Sequence, residues 1–143
     1  MKYFPAWLPF ALGSAFFASL TAIFGKFGVS GINSNVATLI RTVIILVVTA
    51  GIITMRSEWQ KPDAIPLNSW WYLIWSGVAT GLSWLCYYRA LQIGPVTRVA
   101  PIDKLSVAFA ILLSVVFVGE KLSWPVAVGG ALIVSGSIVI AVF

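Results

Sequence analysis

Histidine is absent from this 143-residue sequence, and cysteine occurs once, as Cys86. A lone cysteine cannot close a disulfide within the chain, and the usual zinc sites are built from cysteine and histidine. We therefore expect no disulfide framework and no metal site. Because Cys86 stands in an apolar stretch, we expect it to be a small packing residue.

Charged residues are also scarce, at 9% of the sequence, with four acidic residues against nine lysines and arginines. Water-soluble domains carry about 25% charged residues, so an ordinary soluble domain is excluded. The nine basic residues are scattered singly, without the run or stripe that is typical of nucleic acid binding. We predict no nucleic acid partner.

Sequence motifs for catalysis are missing as well. There is no G-x-x-x-x-G-K-[ST] loop for ATP, no G-x-S-x-G nucleophile turn and no H-E-x-x-H zinc motif. The sequence also leaves no room for a soluble domain that could hold such a site. We predict that the protein is not an enzyme and uses no cofactor.

Hydrophobic residues are abundant, at 60% of the sequence. A helix needs about 20 residues to cross the apolar part of a bilayer, and five such segments fit the chain. We predict an all-α, polytopic integral membrane protein in contact with lipid, a single domain over 1–143, with spans at about 7–25, 36–55, 70–91, 97–118 and 123–143. The first span is expected to be retained rather than removed as a signal peptide.

Turn-forming residues separate the predicted spans. Gly94-Pro95 stops the third helix, and Ser123 with Pro125 in the next turn starts the fifth. The longest polar connection, residues 56–69, is flanked by tryptophans of the kind found at headgroup boundaries. Because the last two connections are short, we expect the third, fourth and fifth helices to be antiparallel neighbours.

Basic residues are nearly balanced between the two faces that five spans create. One face carries four of them, Lys2, Arg56, Lys61 and Lys121; the other carries three to five, namely Lys26, Arg89 and Arg98, with Arg41 and Lys104 if these reach the headgroups. Since loop lysines and arginines set orientation, the balance is compatible with a dual topology in which oppositely inserted copies pair antiparallel. The alternative is that a partner, or the detailed placement of these charges, fixes one orientation.

Three charged residues fall within predicted spans, where ionisable groups are costly and often functional. Arg41 has three open interpretations: it binds an anionic substrate group, pairs with a carboxylate, or snorkels to the headgroups. Asp103 and Lys104 lie near the start of the fourth span. If that helix begins at Ala100, Asp103 is an ordinary helix-start acid; if it begins at Thr97, Asp103 lies about 9 Å inside and is available for a proton relay.

Aromatic and small residues supply the remaining candidates. Trp84, Tyr87 and Tyr88 in the third span are expected either to line a cavity or to form an interfacial belt. Gly77 and Gly81 form a G-x-x-x-G pair that permits close helix packing. The row Ala127, Ala131 and Ser135 in the fifth span is our candidate for contact between two chains.

A run of short motifs after Tyr88 resembles a known family. The elements, in order, are Ala90-Leu91 with Gly94-Pro95, then Val99-Ala100-Pro101, then Gly119-Glu120-Lys121-Leu122-Ser123, and finally the helix that contains Gly129-Gly130 and Gly136. Together they resemble the carboxyl-terminal half of the EamA repeat of the drug/metabolite transporter superfamily. Phe24-Gly25-Lys26-Phe27 and Arg41 extend the resemblance upstream.

This resemblance implies a carrier of metabolites or drugs in a bacterial inner membrane, often an exporter, working without ATP. Full-length members contain two five-helix repeats in opposite orientations, whereas this chain is similar to the short members with one. Transporter sites commonly lie between inverted repeats, so we expect a homodimer, antiparallel if the family's symmetry is kept. A heteromeric partner, a flippase-like subunit for a lipid-linked group and a non-transporting scaffold are the alternatives.

Overall fold

The computed structural model describes residues 5–143, and every regular element in that range is helical. There are six α-helices: α1 Leu8–Gly28, α2 Ser34–Arg56, α3 Leu67–Ile93, α4 Val96–Asp103, α5 Leu105–Leu113 and α6 Trp124–Val142. A single 3₁₀ turn, Pro62–Ala64, precedes α3, and a π-helical turn, Ser114–Val118, follows α5. The predicted all-α class is confirmed.

Helix ends follow local sequence signals. The Asn33 side chain accepts a hydrogen bond from the Asn35 amide (2.8 Å) and caps the start of α2. α3 ends at Ile93, directly before Gly94-Pro95, as predicted. α6 begins after Ser123 with Pro125 in its first turn, also as predicted, although the Ser123 side chain makes no capping hydrogen bond.

Four of the predicted spans are long and apolar enough to cross a membrane: Leu8–Gly28, Ser34–Arg56, Val96–Val118 and Trp124–Val142. The remaining predicted span, the third along the chain, is helix α3. It has 27 residues, which is more than the length a bilayer requires. Its tryptophans, tyrosines and serines make it less apolar than the other four. The crossing by α3, and with it the count of five spans, stays a prediction.

The fourth span is not one continuous α-helix. It begins at Val96, which agrees with the predicted start near Thr97 and not with Ala100, and Pro101 lies inside the helix rather than in its first turn. A proline there has no N–H to donate and its ring crowds the preceding turn. The chain tightens at Lys104, whose amide donates to the Pro101 carbonyl (3.1 Å), and α5 then continues. The span ends at Gly119, which has a φ of 77°.

The described residues form two compact units. The middle unit is Gly25–Gln92, and the terminal unit contains residues 5–24 and 93–143. In the terminal unit, α4 and α5 pack against α6. The start of α4 lies near the end of α6, since an Arg98 nitrogen lies 3.5 Å from the Phe143 carbonyl oxygen. The later part of the fourth span lies near the first half of α6, where Ile111 faces Gly130. The predicted antiparallel arrangement of the last two spans is therefore confirmed.

Apolar side chains cover the outside of the helices. Phe10, Trp75 and Leu132 are each more than 60% exposed, whereas the buried hydrophobic residues of the described chain are Ala22, Val29, Ala37, Tyr88 and Leu91. Helices that are apolar on their outer faces are stable in lipid or against another chain, not in water. This pattern agrees with an integral membrane protein.

Candidate substrate-binding site

The interior of the middle unit is concentrated at one end, where α1 ends, α2 begins and α3 ends. Its buried residues are Gly25, Val29, Ser34, Ala37, Thr38, Tyr88 and Leu91. The side chains nearer the other ends of α2 and α3 are largely exposed. The best-packed part of this unit is thus the part that holds Arg41 and the aromatic pair discussed below.

Gly25 allows α1 to approach α3 closely. A Cβ atom at this position would lie 3.0 Å from the Tyr88 hydroxyl oxygen and 3.3 Å from Leu91 Cδ1. Such contacts are closer than ordinary van der Waals packing, so any side chain here would displace Tyr88. Gly25 thereby leaves room for the Tyr88 ring against α1.

We expect Gly25→Ala to lower the thermal unfolding temperature of the purified protein, whereas Gly28→Ala should not. A Cβ atom at Gly28 meets no described atom within 4 Å, so this change adds only the helix propensity of alanine, a gain of up to about 1 kcal/mol. At Gly25 the same gain is opposed by displacement of Tyr88. Equal unfolding temperatures for the two variants would show that the close approach has no energetic weight.

Polar side chains tie the last turn of α3 to the end of α1. Lys26 Nζ donates to the Leu91 carbonyl (2.6 Å), and Gln92 Nε2 donates to the Ile32 carbonyl (2.8 Å). Arg89 in turn donates to Gln92 Oε1 (2.5 Å). A cation near the carboxyl end of a helix is favourable because the terminal carbonyls carry partial negative charge. No local pattern predicts the bonds made by Lys26 and Gln92, because their partners lie 65 and 60 residues away along the chain.

Arg41 lies against the aromatic face of α3. Its Cζ atom is 4.1 Å from the centroid of the Trp84 ring and 5.0 Å from that of Tyr88. These distances are typical of cation–π contacts. Arg41 is seven residues into α2, about 10 Å from the start of the helix. Within residues 5–143 no carboxylate pairs with Arg41, so the interpretation as an ion pair within the chain is not supported.

Trp84 and Tyr88 share one face of α3 because they are four residues apart. Tyr87 stands edge-on to Tyr88, with ring centroids 6.3 Å apart, and is half-buried. The structure therefore brings together three of the predicted site residues, Arg41, Trp84 and Tyr88, with Tyr87 next to them.

Asp103 and Lys104 lie in the terminal unit and form an ion pair with each other, with Lys104 Nζ 3.1 Å from Asp103 Oδ2. They sit at the break between α4 and α5. Lys104 also borders a groove of about 440 Å³ between α4 and α6, which is lined otherwise by Ala100, Pro101, Leu132, Ile133, Gly136, Ser137 and Ile140. The acid and base are thus paired at a discontinuity in a membrane span.

The predicted packing positions are open in the described chain. A Cβ atom at Gly77 or Gly81 would meet no described atom within 4 Å, so the pair makes no close helix contact within one copy. Ala131 and Ser135 are exposed and Ala127 is half-buried. This row lies on a different face of α6 from Gly130 and Ser137, which pack inward. Cys86 is exposed, so the expectation that it is a packing residue is wrong within a single copy.

The sequence profile of the EamA-like transporter family matches residues 5–142. This chain belongs to that family. A relative from Sinorhizobium sp., named an uncharacterized transporter in the cobO 3' region, is 51% identical over 138 residues, which cover 96% of this chain and 98% of the relative. No solved structure matches. The resemblance seen in the sequence is confirmed, and the EamA family assignment identifies a membrane transporter.

Proposed function

We propose that this EamA-family chain is a secondary or facilitative transporter that moves a small organic solute, in the export direction, across a bacterial inner membrane. The observation that carries the proposal is the placement of Arg41 on Trp84 and Tyr88, within a helix that is long and apolar enough to span. An arginine at that depth is costly unless it serves a pathway or finds a partner. The aromatic contacts hold its guanidinium in place without neutralising it.

A dimer completes the transport path in this proposal. Five helices form one repeat, and a path that opens alternately to either side is commonly built between two inverted repeats. The exposed residues Ala131 and Ser135 on α6, and the open Gly77 and Gly81 on α3, are available for contact with a second copy. An antiparallel homodimer is the simplest arrangement that supplies the inverted half.

Asp103 has the role of the coupling acid in the same proposal. The sequence has four acidic residues, and Asp103 is the one placed inside a helix that can span a membrane. Glu58, Asp63 and Glu120 lie in the connections between spans. Protonation of Asp103 would break its ion pair with Lys104 at the junction of α4 and α5. Proton binding would thereby change the conformation of the fourth span.

Solute release from proteoliposomes tests the proposal. The vesicles are loaded with a defined mixture of amino acids, sugars, small carboxylates, sulfonates and amines, and the released solutes are identified by mass spectrometry. We expect at least one solute to leave faster than from protein-free vesicles. Trp84→Ala should slow that release roughly tenfold, because the cation–π contact that positions Arg41 is lost.

Trp75→Ala is the matched control, since Trp75 lies on the same helix and is 66% exposed. It should release the solute at the unmodified rate. If no solute leaves faster than from protein-free vesicles, the transporter proposal fails and the scaffold alternative is favoured. Release that is blocked by lipid-linked compounds but not by water-soluble competitors would favour the flippase-like alternative.

A further inference from the structure

We propose that the solute carried past Arg41 is a small organic monoanion with a carboxylate or sulfonate group, which binds the N–H edge of the Arg41 guanidinium. The inference rests on the proposed function and names the chemical class of its substrate.

The contacts that Arg41 makes within residues 5–143 engage the face of its guanidinium and none of its hydrogen-bond donors. A guanidinium is planar, with five N–H donors around its edge, and stacking on an aromatic ring engages its face. In the structure, Trp84 and Tyr88 lie at the face, with Cζ 4.1 Å and 5.0 Å from the two ring centroids. No hydrogen bond or ion pair joins Arg41 to another residue in the described part of the chain. The edge is therefore available for two parallel bonds to an oxyanion, the strongest geometry that arginine offers.

The two ends of the middle unit differ in charge: the packed end holds only basic residues, whereas the other end holds both basic and acidic ones. Lys26, Arg41 and Arg89 lie at the packed end, near the start of α2 and the end of α3. The acidic residues of this unit, Glu58 and Asp63, lie beyond the opposite end of α2, which has 23 residues and is about 34 Å long. Within the middle unit, the end that holds Arg41 thus carries only positive charge, which attracts anions and repels cations.

The aromatic faces are already occupied by a cation. An aromatic pair such as Trp84 and Tyr88 could itself bind a cationic solute, but Arg41 takes that place. A cationic solute would have to displace Arg41 or approach it against repulsion. A neutral solute would leave the guanidinium uncompensated in an apolar region, where an unpaired charge is unfavourable.

One negative charge matches the site better than two. Lys26 donates to the Leu91 carbonyl and Arg89 to Gln92 Oε1, so both have partners at the end of α3. Of the three cations at this end, Arg41 has no such partner among the described residues. A monoanion neutralises it, whereas a dianion such as a phosphate monoester would carry excess charge into the span. The preferred solute is therefore a monoanion.

The proteoliposome mixture tests this inference through the charge of what is released. We expect the solutes released by the unmodified protein to be monoanions at pH 7, and benzenesulfonate to slow their release. Benzenesulfonamide, benzyltrimethylammonium and phenyl phosphate have the same ring with a neutral, cationic or dianionic group, and they should have much less effect. Benzenesulfonate stays ionised at this pH, so it acts at the protein rather than by crossing the lipid.

Substitution of Arg41 gives a second, independent measurement. Arg41→Gln should lower release of the anion at least tenfold, and Arg41→Lys should keep the selectivity for anions but raise KM, because lysine lacks the two-pronged geometry. Arg56→Lys is the matched control, because it keeps the loop charge that bears on orientation: Arg56 lies at the other end of α2, is exposed and pairs with Glu58. It should leave release unchanged.

The outcomes separate the inference from the proposed function. Release of only neutral or cationic solutes, or undiminished anion release by a folded Arg41→Gln variant, overturns the inference and leaves the transporter proposal standing. Absence of any protein-dependent release overturns both. If Arg41→Gln does not fold, the charge of the solutes released by the unmodified protein still decides the question.

Discussion

Two or three lysines added at Gln60 should abolish solute release once every copy inserts the same way. The segment from Arg56 to Lys61 joins two spans, and added positive charge there holds that face on the cytoplasmic side. An antiparallel dimer needs both orientations, so a uniform population cannot form it. Ser57, with a φ of 56°, and Trp59, which donates to Thr54 Oγ1, are left unchanged because they shape the end of α2. Cysteine labelling in intact cells reports the orientation.

The control is a copy fixed in the opposite orientation by Ser30→Lys, in the connection before α2, and Asn35→Lys, in the first turn of α2; both residues are exposed. Each variant alone should be inactive, and the two produced together should restore release. Serines added at Gln60 should have no effect. Full activity of a population that demonstrably faces one way would contradict the antiparallel arrangement.

Asp103→Asn should eliminate the dependence of transport on a pH gradient. Asparagine keeps the size of the side chain but cannot exchange a proton, so a coupling acid at this position would be lost. We expect no accumulation of solute driven by an imposed pH gradient, while release down the solute's own gradient continues. The measurement compares both modes in the same proteoliposomes.

Glu120→Gln is the control, because Glu120 is exposed in the connection after the fourth span. It should keep the response to the gradient. Asp103→Asn also leaves Lys104 without its counter-charge. The double variant Asp103→Asn with Lys104→Gln removes both charges, and it therefore separates a coupling defect from a folding defect. An unchanged gradient response in the folded single variant would leave Asp103 as the structural partner of Lys104 alone.

Local signals in the sequence were sufficient for most helix ends. Gly94-Pro95, and Ser123 with Pro125, act through the conformations that these residues allow or forbid, so their effect does not depend on distant contacts. For the start of the fourth span, local signals did not decide between Thr97 and Ala100. Pro101 is compatible with a first turn, and only the structure shows that α4 extends back to Val96 and that the chain tightens again at Lys104.

The candidate site was predicted in its parts but not in its assembly. Arg41 was singled out because a charge within an apolar span is costly, and Trp84 and Tyr88 because aromatic side chains can line a cavity or form an interfacial belt. Nothing in the sequence indicated that Arg41 lies on those rings rather than near the headgroups or a carboxylate. Lys26, Gln92 and Gly25 were not predicted as site residues at all.

By itself, the sequence determined the membrane environment, the helices and the family. Apolar length and turn residues act locally, and the short motifs can be identified by their order along the chain. The tertiary structure decided which side chains meet. Gly25 admits Tyr88, Lys26 and Gln92 hold the end of α3, and Arg41 stacks on Trp84 without a hydrogen bond to any described residue. These contacts join residues that are distant in the chain, and their free energy depends on the packing of whole helices rather than on any local pattern.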